Sequence, residues 1–413
     1  MPIQNFDQYL EKYAELIITT GINVQPAQSV IIYAEVTQQP LVHALIDCAY
    51  QYGAKDVQVE WKDDYITHAL IQNASDETLN QVPTSTTIKA QEIASNRISR
   101  ISIMSEDPDS LGDLDQQKVA IFSKSQAYGK KPVMDATMNN DLAWVVVAAA
   151  SPAWAKKVFP KLNPAAAYEQ LWLNIFKFNR IELNQDPTVA WKKHITQLNR
   201  HATWLNQENF KALHYLSPRT DITVGLAENH HWEGADSTDK AGNYFTANLP
   251  TEEVFTSPDY RHIDGYVTAT KPLSYGGVLI NDIRLTFENG IVTKATASTG
   301  QAVLDQLLAS DSGAKSLGEV ALVPNPSPIS QAGLIFYNTL IDENASNHMA
   351  LGAAYPFNIN NGTQMDKATR QAHGQNQSII HVDFMMGSAD LNIDGIKADG
   401  SIVPVFRQGD WAK

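Results

Sequence analysis

The chain has 413 residues, enough for two or three domains and a sizeable hydrophobic core. Its 43% hydrophobic and 18% charged residues fit a globular protein and exclude a disordered or collagen-like one. A formal net charge of −14 without any run of Lys or Arg argues against nucleic acid as the main partner, because phosphate binding rests on basic clusters. The acidity reads as a solubility feature. Cys48 stands alone, so no intramolecular disulfide can form, and a reducing cytoplasm suits the chain. Cys48 itself reads as a small buried apolar residue.

The stretch Met1-Pro2-Ile3-Gln4-Asn5-Phe6-Asp7 lacks a charged region followed by an apolar core, so it does not read as a signal peptide. Residues 6–19 have helical periodicity. Residues 29–36 form a strand pattern, and 40–52 a helix that opens on Pro40 and closes at Gly53. Alternation over 56–61 predicts a second strand. This β-α-β order implies a parallel sheet with a right-handed crossover. Residues 100–104 and 144–150 extend the same sheet. The apolar run 142–150 is far too short to span a bilayer, so no membrane partner is expected. No GxGxxG turn supports a nucleotide site.

Helices are predicted over 164–178 and 188–216, the second with a core-packing stripe of Trp191, Ile195, Leu198, Trp204 and Leu205. From Asp221 the pattern changes to short strands at 221–226, 265–271, 276–287 and 290–298. Asn289-Gly290 suits a two-residue hairpin turn, since both positions there need positive φ. A short helix follows at 301–308. With the boundary near Pro218, the expected fold is an α/β N-terminal domain with a mainly parallel sheet (1–217). A mixed α+β, strand-rich C-terminal catalytic domain (218–413) follows it.

The last 160 or so residues gather metal-ligand side chains. His381 and Asp383 are two apart in an apolar strand pattern, so they project from one face. Upstream stand Glu252-Glu253, Glu319 and His348. Imidazoles with carboxylates suit a borderline-to-hard divalent cation. Each residue alone has an ordinary alternative: an internal hydrogen-bonded pair, an edge-strand charge or a solvated glutamate. No HExxH sharpens the spacing.

Longer runs resemble a known family. They include Asn248-Leu249-Pro250-Thr251-Glu252-Glu253-Val254-Phe255-Thr256, Thr270-Lys271-Pro272-Leu273-Ser274-Tyr275-Gly276-Gly277 and Leu317-Gly318-Glu319-Val320-Ala321-Leu322. Further on come Phe336-Tyr337-Asn338-Thr339-Leu340-Ile341-Asp342-Glu343-Asn344-Ala345 and His348-Met349-Ala350-Leu351-Gly352-Ala353-Ala354-Tyr355-Pro356. The series closes with His381-Val382-Asp383-Phe384-Met385-Met386-Gly387 and Pro404-Val405-Phe406-Arg407-Gln408-Gly409-Asp410-Trp411. This ordered set resembles the aminopeptidase T / AmpS / PepS metallo-aminopeptidases, the M29 peptidases. The likeness is almost continuous over the C-terminal half. The N-terminal half matches mainly in length and α/β pattern.

The resemblance implies metal ligands at Glu253, Glu319, His348, His381 and Asp383, and an active-site tyrosine at Tyr355. It implies two divalent cations (zinc, cobalt or magnesium), short peptides with a free N-terminus as substrates, and a homodimer. Glu319 is then both ligand and candidate proton shuttle. Tyr355 is either a hydrogen-bond donor to an oxyanion, a weak ligand, or a core residue capping the turn before Pro356. The residues do not choose a general base, and Glu252 is either an outer neighbour of the ligands or a surface residue. Two alternatives stay open: a metallohydrolase of other amides, and a non-catalytic, metal-stabilised peptide-binding protein. Structural zinc sites are commonly Cys-rich, which one cysteine does not satisfy.

Overall fold

The computed structural model describes residues 3–275 and 278–413. Met1-Pro2 and Gly276-Gly277, including the expected start of the strand at 276–287, lie outside the described residues. The chain divides into two compact units: Met1–His194 with Asp236–Pro250, and Ile195–Ala235 with Thr251–Lys413.

The first unit is an α/β layer. Helix α1 (Phe6–Leu16) buries Leu10, Tyr13, Ala14 and Leu16, then widens into a π-helical turn at Ile17–Gly21. Strand β1 (Ser29–Glu35), helix α2 (Gln39–Gln51) and strand β2 (Asp56–Lys62) follow. Three further helices, α3 (Asp64–Asn73), α4 (Asp76–Asn80) and α5 (Thr84–Asn96), lead to β3 (Ser99–Met104). Then come α6 (Gln116–Met138), β4 (Trp144–Ala148), α7 (Pro152–Val158) and α8 (Pro164–Phe178). Asp63, Ser75, Asp115, Ser151 and Asn163 each accept a backbone N–H at a helix start, which explains where five of these helices begin.

Two short strands, β7 (Ser237–Thr238) and β8 (Tyr244–Phe245), form a small hairpin of this unit. After them β9 (Asn248–Leu249) pairs in parallel with β4. The main sheet has the order β2-β1-β3-β4-β9, parallel throughout. Strand β1 is largely buried on both faces, while β3 alternates buried and half-buried residues. Cys48 is half-buried on α2, less enclosed than its apolar neighbours suggest.

Helix α9 (Pro187–Glu208) ends well before the predicted residue 216. Asn209 takes a left-handed φ of 48°, and Ala212–Ser217 forms strand β5 instead. The reason is the change of period: Leu213 and Tyr215 alternate into the core, which a helix could not do. The second unit is antiparallel. Strand β6 (Thr220–Leu226) pairs with β5 and with β11 (Pro258–Thr268). Between them runs β10 (Val254–Thr256). The region predicted as one strand over 276–287 is broken. A small hairpin of β12 (Leu273–Tyr275) and β13 (Val278–Ile280) precedes β14 (Arg284–Glu288). Asp282, with φ 51°, turns the chain between β13 and β14. The β14 to β15 (Ile291–Thr296) turn has Asn289 at φ 50° and Gly290 at φ 84°, as the Asn-Gly pair predicted.

Helix α10 (Gln301–Leu308) matches its predicted range and leads to β16 (Leu317–Leu322). Helix α11 (Thr339–Glu343), β17 (His348–Gly352), α12 (Lys367–Ala372) and β18 (His381–Met385) follow. The chain closes through β19 (Asn392–Ile396), β20 (Ile402–Arg407) and β21 (Asp410–Trp411). Eight strands form one sheet, β15-β14-β11-β6-β5-β19-β20-β21, and four form another, β10-β16-β17-β18.

The four-stranded sheet has two unlike faces. Val254, Val320, Leu322, Met349, Leu351, Val382 and Phe384 point into the core of this unit, beside Leu213, Ile263, Ile393 and Phe406. The period of two sends their neighbours to the other face: Glu319, Ala321, His348, Ala350, Gly352, His381 and Asp383. Apolar burial of one face thus forces the polar residues of the other into register.

Candidate metal centre

The register sets the geometry. Glu319 lies opposite Ala350 on β17, and Ala350 opposite Asp383 on β18. His348 opens β17 and His381 opens β18. Glu253 immediately precedes β10, whose Val254 pairs with Leu322. Four ligand candidates from three strands of one sheet, and Glu253 just ahead of the fourth strand, therefore come together.

His348 Nε2 is 3.0 Å from Glu253 Oε2 and 3.5 Å from Glu319 Oε1. His381 Nε2 is 3.7 Å from Glu319 Oε2 and 3.6 Å from Asp383 Oδ1. The two oxygens of Glu319 are thus divided between the histidines. Two overlapping groups result, Glu253–Glu319–His348 and Glu319–His381–Asp383, each offering three donor atoms within 4.8 Å of one another. Donors around a zinc-sized ion at about 2.1 Å stand roughly 3.4 Å apart, so the spacing fits a cation in each group.

Both imidazoles are oriented from behind. His348 Nδ1 donates to Ser346 O at 3.1 Å, and His381 Nδ1 donates to Ala353 O at 2.7 Å. A carbonyl only accepts, so in each ring Nδ1 carries the hydrogen and Nε2 is left to the carboxylates or a cation. The same Ala353 carbonyl lies against Gly318, where a bulge interrupts the β16–β17 ladder. A Cβ on Gly318 would lie 2.3 Å from Ala353 O, closer than atoms can pack.

The electrostatics call for cations. Glu253, Glu319, His348 and Asp383 are buried, with the carboxylates outnumbering the imidazoles. Asp383 Oδ1 is buried without a hydrogen-bond partner. Uncompensated buried carboxylates are costly. Burial raises the pKa of Glu319, opposed by its hydrogen bond from His348 and reinforced by Asp383. Burial alone would depress the His348 imidazolium, but hydrogen bonds to Glu253 and Glu319 outweigh it and hold the pKa well above the ordinary histidine value. For His381, burial is likewise outweighed, by the charges of Asp383 and Glu319. The donor set, its orientation and the orphaned oxygen all fit divalent metal.

The structure also locates residues around this face. The Tyr355 ring centroid is 4.8 Å from that of His381, stacks on Phe357 at 5.2 Å, and meets Phe255 edge-on at 6.2 Å. Burial pushes its phenol well above the ordinary tyrosine value. Tyr355 occupies the N-cap position of the short 3-10 turn Pro356–Asn358 without a side-chain cap hydrogen bond. Glu252 is buried, which removes the surface reading of that residue.

Glu343 was not singled out from the sequence. It ends α11, and burial, then the charges of Asp383 and Glu253, hold its carboxyl well above the usual range. The local signal is a polar triplet, Asp342-Glu343-Asn344, set between Leu340-Ile341 and Ala345. Asp342 serves the backbone instead, accepting from Phe336 N at 2.8 Å and Asn338 N at 3.2 Å.

Residues 6–411 match the family described as thermophilic metalloprotease (M29). The chain is 44% identical to aminopeptidase PepS of Streptococcus thermophilus, covering all of both chains. It is 43% identical to aminopeptidase AmpS of Bacillus subtilis (strain 168), over 99% of this chain and 100% of the relative. Wild-type AmpT from Thermus thermophilus superposes with a TM-score of 0.92 at 37% identity, over 99% of this chain and 100% of that one. Family match, near-complete coverage and a shared fold that includes the strand-rich second unit lead to one conclusion: the chain belongs to the M29 family of metalloproteases, among relatives that are metallo-aminopeptidases.

Proposed function

We propose that this protein removes the N-terminal residue from short peptides at a two-cation site. Glu253, Glu319 and His348 hold one cation, and Glu319, His381 and Asp383 the other, with Glu319 shared. The observation that carries this reading is the division of the Glu319 oxygens between His348 and His381. Bound divalent cations would supply Lewis acidity for the scissile carbonyl and acidify a water toward neutrality.

The remaining chemistry belongs to the chain. Glu319, shared between the two groups, serves in this reading as both ligand and proton shuttle. Tyr355, beside His381, donates a hydrogen bond to the developing oxyanion; such a donor contributes several kcal/mol in the transition state. In this reading one bound cation would hold the free α-amine of the substrate, which accounts for exopeptidase action. Zinc, cobalt or magnesium satisfies this donor set. The proposal includes a homodimer working in the cytoplasm, in keeping with a chain that has a single cysteine.

Hydrolysis of an unblocked dipeptide and of its N-acetyl form, each before and after chelation, tests this reading. Metal-dependent release of a free amino acid from the unblocked peptide only is expected. Equal hydrolysis of both would point to a general amidase, and metal binding without turnover to a non-catalytic protein.

A further inference from the structure

Glu253 has no strand of its own. Residues 250–253 are without regular structure, and β10 begins only at Val254. The segment is instead held from a distance by Asn344, which is fully buried. Asn344 Oδ1 accepts the backbone N–H of Glu252 at 2.7 Å, a contact spanning 92 residues of sequence. Asn344 Nδ2 donates to Leu340 O at 2.9 Å, inside α11, and more weakly to Glu343 Oε1 at 3.4 Å. Its own carbonyl accepts from Ser327 Oγ at 3.4 Å. One amide side chain therefore joins the segment that carries Glu253 to the end of α11 that carries Glu343. No corresponding tether links Asn344 to Glu319, His381 or Asp383, which their strands already hold in register.

We infer that Asn344 is a positioning residue for Glu253, and that it governs cation binding at the Glu253–Glu319–His348 group without governing the Glu319–His381–Asp383 group. This rests on the two-cation reading above. The physical argument is that a buried backbone N–H without its acceptor must find another or move toward water. Removal of the Asn344 acceptor would loosen the Glu252 backbone and with it the placement of the adjoining Glu253 carboxylate. Residues that orient metal ligands in this way are typically worth about ten- to a hundredfold in metal affinity.

The test is titration of the chelator-stripped protein with cobalt(II), followed by calorimetry and by visible absorption, in Asn344→Ala and Asn344→Ser. Glu253→Gln and Asp383→Asn serve as reference variants. The wild type is expected to bind two cobalt ions. Asn344→Ala should weaken one step by about ten- to a hundredfold. Its titration should superimpose on that of Glu253→Gln and not on that of Asp383→Asn. Asn344→Ser, too short to reach Glu252, should behave alike if the alanine variant does not fold. Two unaltered steps in both Asn344→Ala and Asn344→Ser, or equal loss of both, would overturn the positioning role while leaving the two-cation site standing. A wild type that binds one cobalt ion or none would overturn the two-cation reading itself, and this inference with it.

Discussion

Glu319 and Asp383 stand two strands apart on one face of a four-stranded sheet, separated only by Ala350. The small side chain between them leaves open the space that their carboxylates share with His348 and His381. The other face of the same strands is packed with Val320, Met349, Leu351 and Phe384, which fixes the register and hence the separation of the two acids.

Ala350→Val therefore places two extra methyl groups between the carboxylates. Overpacking of this kind costs typically 1–3 kcal/mol. The expected outcome is a lowered melting temperature together with at least about a tenfold loss of metal affinity. Calorimetric metal titration beside thermal unfolding checks it; unchanged affinity would show that the space above Ala350 is not used.

His381→Ala should abolish peptide hydrolysis while the protein keeps its fold, because His381 lies outside the apolar core of its unit. Circular dichroism and turnover of an amino-acid anilide, measured on one preparation, separate the two effects. Near-normal turnover would remove His381 from the site.

Tyr355→Phe deletes one oxygen and keeps the ring packed against Phe357, Phe255 and His381. Loss of an interaction made only in the transition state lowers kcat and kcat/KM together. The fall should be on the order of a hundredfold. Steady-state kinetics with metal content measured in the same sample decide the case. An intact kcat assigns the tyrosine to packing, and loss of metal makes it a ligand.

His230 lends the second unit a pH dependence of stability unrelated to the metal centre. Burial depresses its pKa to about 4, although a hydrogen bond to Ala227 O opposes the shift. In the unfolded chain its pKa returns to about 6.5. Between these values the unfolded chain binds the proton and the folded chain does not, so stability falls as pH drops from 6.5 to 4 and is unaffected above that window. The loss is on the order of 3 kcal/mol. Urea unfolding at pH 7 and pH 4.5 should show it, and His230→Gln should flatten it. An equal pH slope in the variant would assign the effect to other groups.

Much of this architecture is legible in local sequence. The β-α-β alternation of residues 29–61, the helices at Pro164–Phe178 and Gln301–Leu308, and the Asn289-Gly290 turn are set by short-range periodicity and by φ preferences, which act within a few residues. The pairing of His381 with Asp383 on one strand face follows from the same period of two. The family resemblance implies His348, Glu319 and Glu253 as companions without saying how they meet.

What only the tertiary structure decided depends on contacts distant in sequence. Helix α9 stops at Glu208 because Leu213 and Tyr215 are needed in a sheet whose partners, β6 and β19, flank β5 on either side. Asn248–Leu249, inside a family motif, joins the parallel sheet of the first unit through Val146 and Val147. The sharing of Glu319 between two histidines, the place of Glu343 and the tether from Asn344 to Glu252 all arise between segments tens of residues apart. A periodic pattern records which face a side chain takes. It does not record which other strand that face will meet, because that choice is made by burial and hydrogen bonding across the whole unit.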